Sequence, residues 1–205
     1  MLLSLPLLVC LAIGLSFLAA GVASADDGST TSSPNVGQIH LALGESPSSM
    51  SVQWSTSLSY SESGVVYYGL ACNSMSSSVS ASAFNFTDSG EKKYTQVHHV
   101  GVMSSLKPST TYYYKVGSDS AGYSDVFSFT SLPVVGPLAK PLRFGVWGDL
   151  GLKNAQIFPY VRDEVSSGNF DVLVHVGDFA YDLHTNDGTY GDEFMNLIMP
   201  LAANV

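Results

Sequence analysis

The sequence predicts a mixed fold, in which an N-terminal all-β sandwich over residues 36–131 precedes the first part of an α/β domain over residues 142–205. Short segments of alternating apolar and polar residues, separated by turn residues, indicate the sandwich. Two apolar, β-branched-rich runs that each end in Gly-Asp indicate the α/β part. Between them, residues 132–141 contain three prolines and a glycine, which is typical of a stiff linker between domains.

The N-terminus has the pattern of a secretory signal over residues 1–25. This segment carries no charged side chain, and Ala23-Ser24-Ala25 has the small-x-small pattern of a signal-peptidase site. A membrane anchor is the alternative, since the apolar run is almost long enough to span a bilayer, but it lacks flanking basic residues. Residues 26–35 are rich in Ser, Thr, Gly, Pro and Asp and indicate a flexible linker. We therefore expect a secreted chain, extracellular or lysosomal, with no membrane attachment after cleavage.

Secretion gives meaning to two further features. Asn85-Phe86-Thr87 is an acceptor sequence for N-glycosylation at Asn85. Cys10 would leave with the signal, so Cys72 is expected either to pair with a cysteine elsewhere or to be a buried thiol.

The charge balance disfavours one class of partner. The 17 Asp and Glu outnumber the 8 Lys and Arg, which gives a formal net charge of −9. An acidic surface repels a phosphate backbone, so nucleic-acid binding is disfavoured. A small phosphate ester remains possible, because metal ions would dominate the local field.

The predicted sandwich strands lie around residues 39–43, 50–54, 64–69, 94–103, 112–117 and 126–130. Residues 74–82 are so rich in serine that they fit either a loop or an edge strand. His98 and His99 are adjacent in one strand, so their side chains face opposite sides and cannot readily chelate one ion. We expect both to be structural, one half-buried and one solvated, and the aromatic residues to fill the core.

The two Gly-Asp runs predict one strand–helix–strand unit with strands buried on both faces. Asp149 and Asp178 lie about thirty residues apart, and a right-handed crossover places both at the carboxyl edge of a parallel sheet. The crossover helix is expected to start near Pro159 and to stop at Gly168. A last helix is expected to be capped by Asp192 and to contain Pro200. Its predicted apolar stripe consists of Phe194, Leu197, Ile198 and Leu201.

Asp149 and Asp178, with Tyr181 three residues after the second, predict half of a metal site. Hard cations prefer oxygen ligands, and the adjacent glycines let the backbone turn sharply beside an ion. The alternative is that each Asp only caps the helix or turn that follows it. Two such aspartates, each ending an apolar strand at this spacing, favour the metal interpretation.

These residues carry a family resemblance. The segments GDLG (residues 148–151) and GDFAY (residues 177–181) resemble the first two motifs, GDxG and GDxxY, of the purple acid phosphatases. Most metallophosphoesterases have Asp-x-His in the first motif, and here Gly151 stands at the histidine's place. The resemblance implies that Asp149 and Tyr181 bind Fe(III), and that Asp178 bridges the iron to a second divalent metal, Zn, Mn or Fe.

A second resemblance supports the first. Residues 106–116, LKPSTTYYYKV, resemble the tyrosine-corner stretch of fibronectin type III domains, L-x-P-x-T-x-Y-x-Y-x-V. Tyr112 is then expected to direct its hydroxyl to the upstream backbone, with Tyr114 and Val116 in the core. Purple acid phosphatases of the large type carry such a domain before the catalytic one.

The implied function is an acid phosphatase that hydrolyses phosphate monoesters at a dinuclear Fe(III)–M(II) centre. The family's later motifs, GNHE, a lone His and GHxH, are not found before Val205, so the chain is expected to be an amino-terminal piece with little activity and no catalytic residue assigned. The alternatives are a non-catalytic secreted sandwich and a related enzyme that cleaves diesters or nucleotides.

Four residues near the motifs are less specific. His175 could support the metal ligands from the adjacent strand, although a hydrogen-bonded core histidine is the more common case. His184 could line the substrate mouth or be a solvated loop residue. Asp182 and Asp187 are expected at the surface.

Overall fold

The computed structural model describes residues 35–134, 136 and 140–205. The predicted signal peptide with Cys10, residues 26–34, and positions 135 and 137–139 of the second predicted linker lie outside the described residues. In the part of the chain that is described, no helix combines the length and the apolar character needed to cross a membrane.

The sandwich comprises two antiparallel sheets. In chain order its strands are β1 (Gly37–Leu43), β2 (Met50–Thr56), β3 (Val65–Gly69), β4 (Ser77–Ser80), β5 (Ser82–Thr87), β6 (Thr95–Met103), β7 (Thr111–Ser118), β8 (Gly122–Tyr123) and β9 (Phe127–Thr130), with a short 3₁₀ helix at Leu58–Tyr60. One sheet has the order β1-β2-β6-β5, and the other has the order β4-β3-β7-β8, with β9 also paired to β7.

The sandwich core forms where inward-facing residues of the two sheets meet. Trp54 of β2 and Tyr114 and Val116 of β7 are almost completely buried, as the alternation predicted. The backbone N–H of Lys107 donates to the hydroxyl of Tyr112 at 2.9 Å. The predicted tyrosine corner is therefore confirmed, and it ties the start of β7 to the preceding loop.

One strand of the sandwich was missed from the sequence, and the prediction of a solvated histidine was wrong. Six consecutive residues of β5 are exposed, so this strand shows no alternation and is defined only by its pairing with β6. Of the two alternatives for the serine-rich segment, the edge strand is confirmed, because residues 77–80 form β4 at the edge of its sheet. Neither histidine of β6 is solvated: His99 is buried against Trp54 and bonded through Nε2 to Thr56 Oγ1 at 2.9 Å, and His98 is half-buried.

The α/β part consists of β10 (Phe144–Trp147), α1 (Phe158–Ser166), β11 (Val172–His175) and α2 (Thr189–Ala202). The strands β10 and β11 are parallel, as the spacing of the two Gly-Asp runs predicted. The prediction of burial on both faces was wrong. Phe144 and Val146 are 54% and 59% exposed, because the apolar cluster that includes residues of α1 and α2 lies on one face of the two-stranded sheet.

The helices differ in how well their starts were predicted. Pro159 lies in the first turn of α1, and Gly168, with φ +66°, follows its end, as expected. Helix α2 begins at Thr189, three residues before Asp192, so the prediction that Asp192 caps it was wrong. The Asp192 carboxylate instead accepts hydrogen bonds from the side-chain amides of Gln38 and Gln96, at 2.8 and 3.1 Å. Pro200 lies inside α2, as predicted.

Helix α2 also joins the sandwich to the α/β part, both of which belong to one compact unit, Pro34–Val205. The backbone N–H of Gln38 donates to Asn196 Oδ1 at 3.0 Å. The fully buried Tyr114 donates its hydroxyl to the carbonyl of Ala203 at 2.7 Å. Burial raises the pKa of Tyr114 well above its ordinary value, so the hydroxyl stays protonated and remains a donor.

Replacing Tyr114 with phenylalanine is expected to lower the free energy of unfolding by about 1–2 kcal/mol, because the Ala203 carbonyl would be left buried without its donor. Urea denaturation followed by circular dichroism measures the change. Tyr160→Phe is the matched control, since Tyr160 is 72% exposed. Equal unfolding midpoints for Tyr114→Phe and the unmodified chain would show that this bond contributes nothing.

Candidate metal centre

The candidate centre lies where β10 and β11 end side by side. Trp147 and His175 are register partners at the ends of the two strands, and a Gly-Asp pair follows each strand. The backbone N–H of Gly151 donates to the carbonyl of Phe179 at 3.0 Å and so joins the two loops directly. Both aspartates are thereby placed at the carboxyl edge of the sheet.

Three oxygen-bearing side chains converge at this edge. The hydroxyl of Tyr181 donates a hydrogen bond to Asp149 Oδ1 and lies 3.4 Å from Asp178 Oδ2. Tyr181 is 52% exposed, so the cluster is open to solvent. The structure therefore brings together all three residues that the motifs singled out as metal ligands.

The backbone at both aspartates is unusual in the same way. Asp149 has φ +55° and Asp178 has φ +45°, in the left-handed region that Asp tolerates better than most residues. Such conformations cost on the order of 1 kcal/mol and persist where the surroundings fix them. Neither aspartate caps a helix, because Ile157 and Gly188 precede α1 and α2. The geometry therefore disfavours the helix-capping alternative.

Asp149 and Asp178 make no ion pair with any lysine or arginine in the described part of the chain. The hydrogen bond to Asp149, followed by desolvation and the charges of both carboxylates, raises the pKa of Tyr181 to about 12. In the described residues no three His, Cys, Asp or Glu side chains are grouped to hold a metal, so the third donor here is a phenol.

His175 packs beside the centre without joining it. Its ring stacks on Phe179 with centroids 4.3 Å apart and meets Trp147 edge-on at 5.8 Å. Both ring nitrogens are buried and have no hydrogen-bond partner in the structure. Burial lowers the pKa of His175, and the backbone at Gly177, followed by the charges of Asp149 and Asp178, partly opposes that effect. Its observed contact is therefore aromatic packing behind the loop that carries Asp178.

A separate cavity of about 780 Å³ lies between the sandwich and the α/β part. His175 and His184 line it, together with His40 and His98 of the sandwich, whereas the three candidate ligands do not. The structure thus places His184 at this largely apolar cavity rather than among the converging oxygens. The contribution of His40 and His98 had no signal in the sequence, because it depends on how the two parts pack.

The two remaining aspartates differ from each other. Asp182 is exposed, as expected. Asp187 was also expected at the surface, but its side chain is only 17% exposed and its Oδ2 lies 3.1 Å from Lys92 Nζ. Sequence reasoning missed this pair, because Lys92 belongs to the sandwich and is distant along the chain.

Comparison with known proteins places the sandwich in a family. The model of the purple acid phosphatase N-terminal domain matches residues 36–131. Those residues belong to the purple acid phosphatase N-terminal domain family. The resemblance that the Gly-Asp motifs and the tyrosine corner indicated is therefore confirmed, and so is the mixed, β-rich fold class.

Similar proteins extend the match beyond the sandwich. The chain is 36% identical over 169 residues to acid phosphatase type 7 of Danio rerio, covering 82% of this chain and 37% of that protein. It is 31% identical over 166 residues to probable purple acid phosphatase 20 of Arabidopsis thaliana, covering 81% of this chain and 36% of that one. The chain therefore spans little more than a third of the length of these relatives.

A solved structure supports the fold. Purple acid phosphatase PPD1 from yellow lupin (Lupinus luteus) superposes with a TM-score of 0.69 at 19% identity, over 84% of this chain and 34% of that chain. The likeness covers both the sandwich and much of the α/β part, and at this identity it concerns the architecture alone.

Proposed function

We propose that this chain carries the amino-terminal ligands of a dinuclear Fe(III)–M(II) centre, with M being Zn, Mn or Fe, in an acid phosphatase that hydrolyses phosphate monoesters. The observation that carries the proposal is the convergence of the Tyr181 hydroxyl with the carboxylates of Asp149 and Asp178. The names of the relatives, which are acid phosphatases, support the reaction class.

The donor set fits a hard, trivalent ion. Two carboxylates and a phenol offer oxygen ligands only, and no lysine or arginine of the described residues neutralises the carboxylates. Asp149 and Tyr181 would hold the iron, and Asp178 would bridge to the second ion. Bound metal ions would supply Lewis-acid stabilisation of the phosphoryl group and a nucleophile near neutral or acid pH.

The other role of the chain would be to fix the positions of the three ligands. The left-handed backbone at Asp149 and Asp178 fixes where each carboxylate leaves its loop, and the bond from Gly151 to Phe179 keeps the loops together. A Cβ built at Gly151 meets nothing within 4 Å, so the place of the missing histidine is open space. A phenol supplied from the second loop can therefore complete the donor set.

The three donor side chains are too few to complete a centre with two metal ions. Three side chains cannot satisfy two ions that each take four or more ligands. We therefore propose that the remaining ligands belong to polypeptide outside these residues, in line with the 37% of the Danio rerio relative that the chain covers. Little or no turnover of p-nitrophenyl phosphate is expected from the purified chain alone.

Secretion and glycosylation belong to the same proposal. Asn85 is exposed in β5, at the edge of its sheet, where an attached glycan would extend into solvent. The expected partner is a small phosphate monoester rather than nucleic acid, in keeping with the acidic net charge of −9.

Titration of Fe(III) into the purified chain tests the proposal. Iron bound by Tyr181 is expected to give a visible phenolate-to-iron absorption band, and Tyr181→Phe is expected to abolish the band. Tyr160→Phe is the control, because Tyr160 is exposed on α1, away from the centre. A chain that binds no iron, or a band that persists in Tyr181→Phe, would overturn the assignment.

A further inference from the structure

The turn that joins β5 to β6, residues 88–94, contacts the loop that follows Tyr181, residues 182–188. Lys92 Nζ lies 3.1 Å from Asp187 Oδ2, and the backbone N–H of Lys92 donates to Asp187 Oδ1 at 3.2 Å. Both carboxylate oxygens of Asp187 are thus engaged by one residue of the sandwich. These bonds lower the pKa of Asp187, the backbone hydrogen bond from Lys92 having the largest effect.

Glycines on both sides allow this close approach. A Cβ at Gly90 in the turn would lie 2.8 Å from Asp187 Oδ1, closer than real Cβ contacts. Gly188 in the loop has φ +89°, a conformation that L side chains rarely adopt, although a Cβ there would make only an ordinary contact with Asp88 Oδ1 at 3.4 Å. The contact therefore depends on the backbone of both segments and not only on two flexible side chains.

The loop has a local conformation that calls for outside support. Asp182, Asn186 and Asp187 have φ values of +60°, +54° and +57°, in the left-handed region. Each such residue costs on the order of 1 kcal/mol, and the conformation persists only where the surroundings fix it. Tyr181 immediately precedes the loop, so a loop that relaxes would also release the phenol from the two carboxylates.

The far end of the loop is already held. Asp192, in the first turn of α2, accepts hydrogen bonds from Gln38 and Gln96. Tyr181 is held at the near end by its bonds to Asp149 and Asp178. Lys92 contacts the segment between these two anchors.

We propose that the β5–β6 turn supports the loop of residues 182–188, and that Lys92 is a positioning residue which holds Tyr181 in place through Asp187. The support of the loop stands by itself, whereas its consequence for metal binding rests on the proposed function. The sandwich would then fix the position of one ligand of the metal centre, Tyr181, through the contact of Lys92 with Asp187.

Amide hydrogen exchange on the chain tests the support directly. Lys92→Ala is expected to accelerate exchange of the amides of Thr185, Gly188 and Gly191, which donate to carbonyls of the loop, by roughly twofold to fivefold. Lys93→Ala is the matched control, because the Lys93 ammonium reaches only the carbonyl of Ser89 in the same turn. The urea midpoint should be the same for both variants, since Lys92 is 79% exposed.

A double-mutant cycle tests whether the faster amide exchange comes from the contact between Lys92 and Asp187. Asp187→Asn keeps a residue that tolerates a positive φ but removes the charge, and the double variant Lys92→Ala/Asp187→Asn is expected to exchange no faster than Asp187→Asn alone. Equal loop exchange in Lys92→Ala and Lys93→Ala, or fully additive effects in the double variant, would overturn the support.

The ferric complex provides the second readout. If the unmodified chain shows the phenolate-to-iron band, Lys92→Ala is expected to bind iron with a weaker band, whereas Lys93→Ala leaves the band unchanged. An unchanged band in Lys92→Ala would refute the positioning of Tyr181. If the unmodified chain binds no iron, the proposed function fails, and the exchange measurement still decides whether the turn supports the loop.

Discussion

Replacing Asp178 with alanine is expected to weaken Fe(III) binding by roughly 100-fold or more, since even partners outside the ligand set are worth about 10- to 100-fold. Asp178 follows the second parallel strand and lies next to Tyr181, whose hydroxyl is 3.4 Å from its Oδ2. It is also the residue proposed to be shared between both ions. In a polypeptide that supplies the remaining ligands, its loss should prevent the pairing of metal ions altogether.

The backbone at this position requires a companion variant. Asp178 has φ +45°, which alanine adopts less readily than aspartate, so part of any effect of Asp178→Ala could come from a rearranged loop. Asp178→Asn keeps both the shape and the tolerance of a left-handed backbone while it removes the charge. Asp163→Asn, on the exposed side of α1, changes the net charge equally without touching the centre.

Calorimetric titration and metal analysis by emission spectrometry measure the outcome. The proposal requires that both Asp178 variants lose iron while Asp163→Asn keeps it. Metal content that is unchanged in Asp178→Asn and Asp178→Ala would rule out a ligand role for this carboxylate.

The convergence of the three candidate ligands could be predicted because its signals are local. Each candidate ligand lies within six residues of the end of an apolar strand, and the roughly thirty-residue spacing of Asp149 and Asp178 predicts parallel strands, which β10 and β11 are. The contact of Lys92 with Asp187 could not be predicted in this way. These residues are 95 positions apart, and neither lies in a periodic or motif-like segment.

The errors in the fold have a related cause. Asp192 has the residue type of a helix cap, yet it binds Gln38 and Gln96 because α2 packs against β1, which only the tertiary structure shows. Strand β5 is fully exposed and gave no alternation, since its pairing with β6 requires no buried face. The exposed face of β10 likewise depends on which elements pack against the sheet, and an apolar run in the sequence does not show this.

The sandwich core contains the residue whose removal should cost the most stability. Trp54 is 1% exposed and stacks on His99 with ring centroids 5.1 Å apart and planes 10° apart. Its ring is packed so closely that a Cβ at Gly64 would lie 2.4 Å from Trp54 Cζ2. Truncation would therefore leave a cavity enclosed by a sheet pair that is fixed by its hydrogen bonds and can collapse only partly.

Trp54→Ala is expected to lower the free energy of unfolding by about 3–5 kcal/mol, the range for large aromatic residues in packed cores. That is a large share of the roughly 5–15 kcal/mol that a domain has in total, so the variant should be partly unfolded at moderate temperature.

Trp54 Nε1 is buried without a hydrogen-bond partner in the structure, so Trp54→Phe, which removes that group and leaves a smaller cavity, should cost clearly less. Urea denaturation of both variants, with the exposed Tyr160→Ala as a control expected within about 0.5 kcal/mol of the unmodified chain, measures the series. A loss below about 1 kcal/mol for Trp54→Ala would mean that the two sheets close over the vacated space and that Trp54 does not hold the core together.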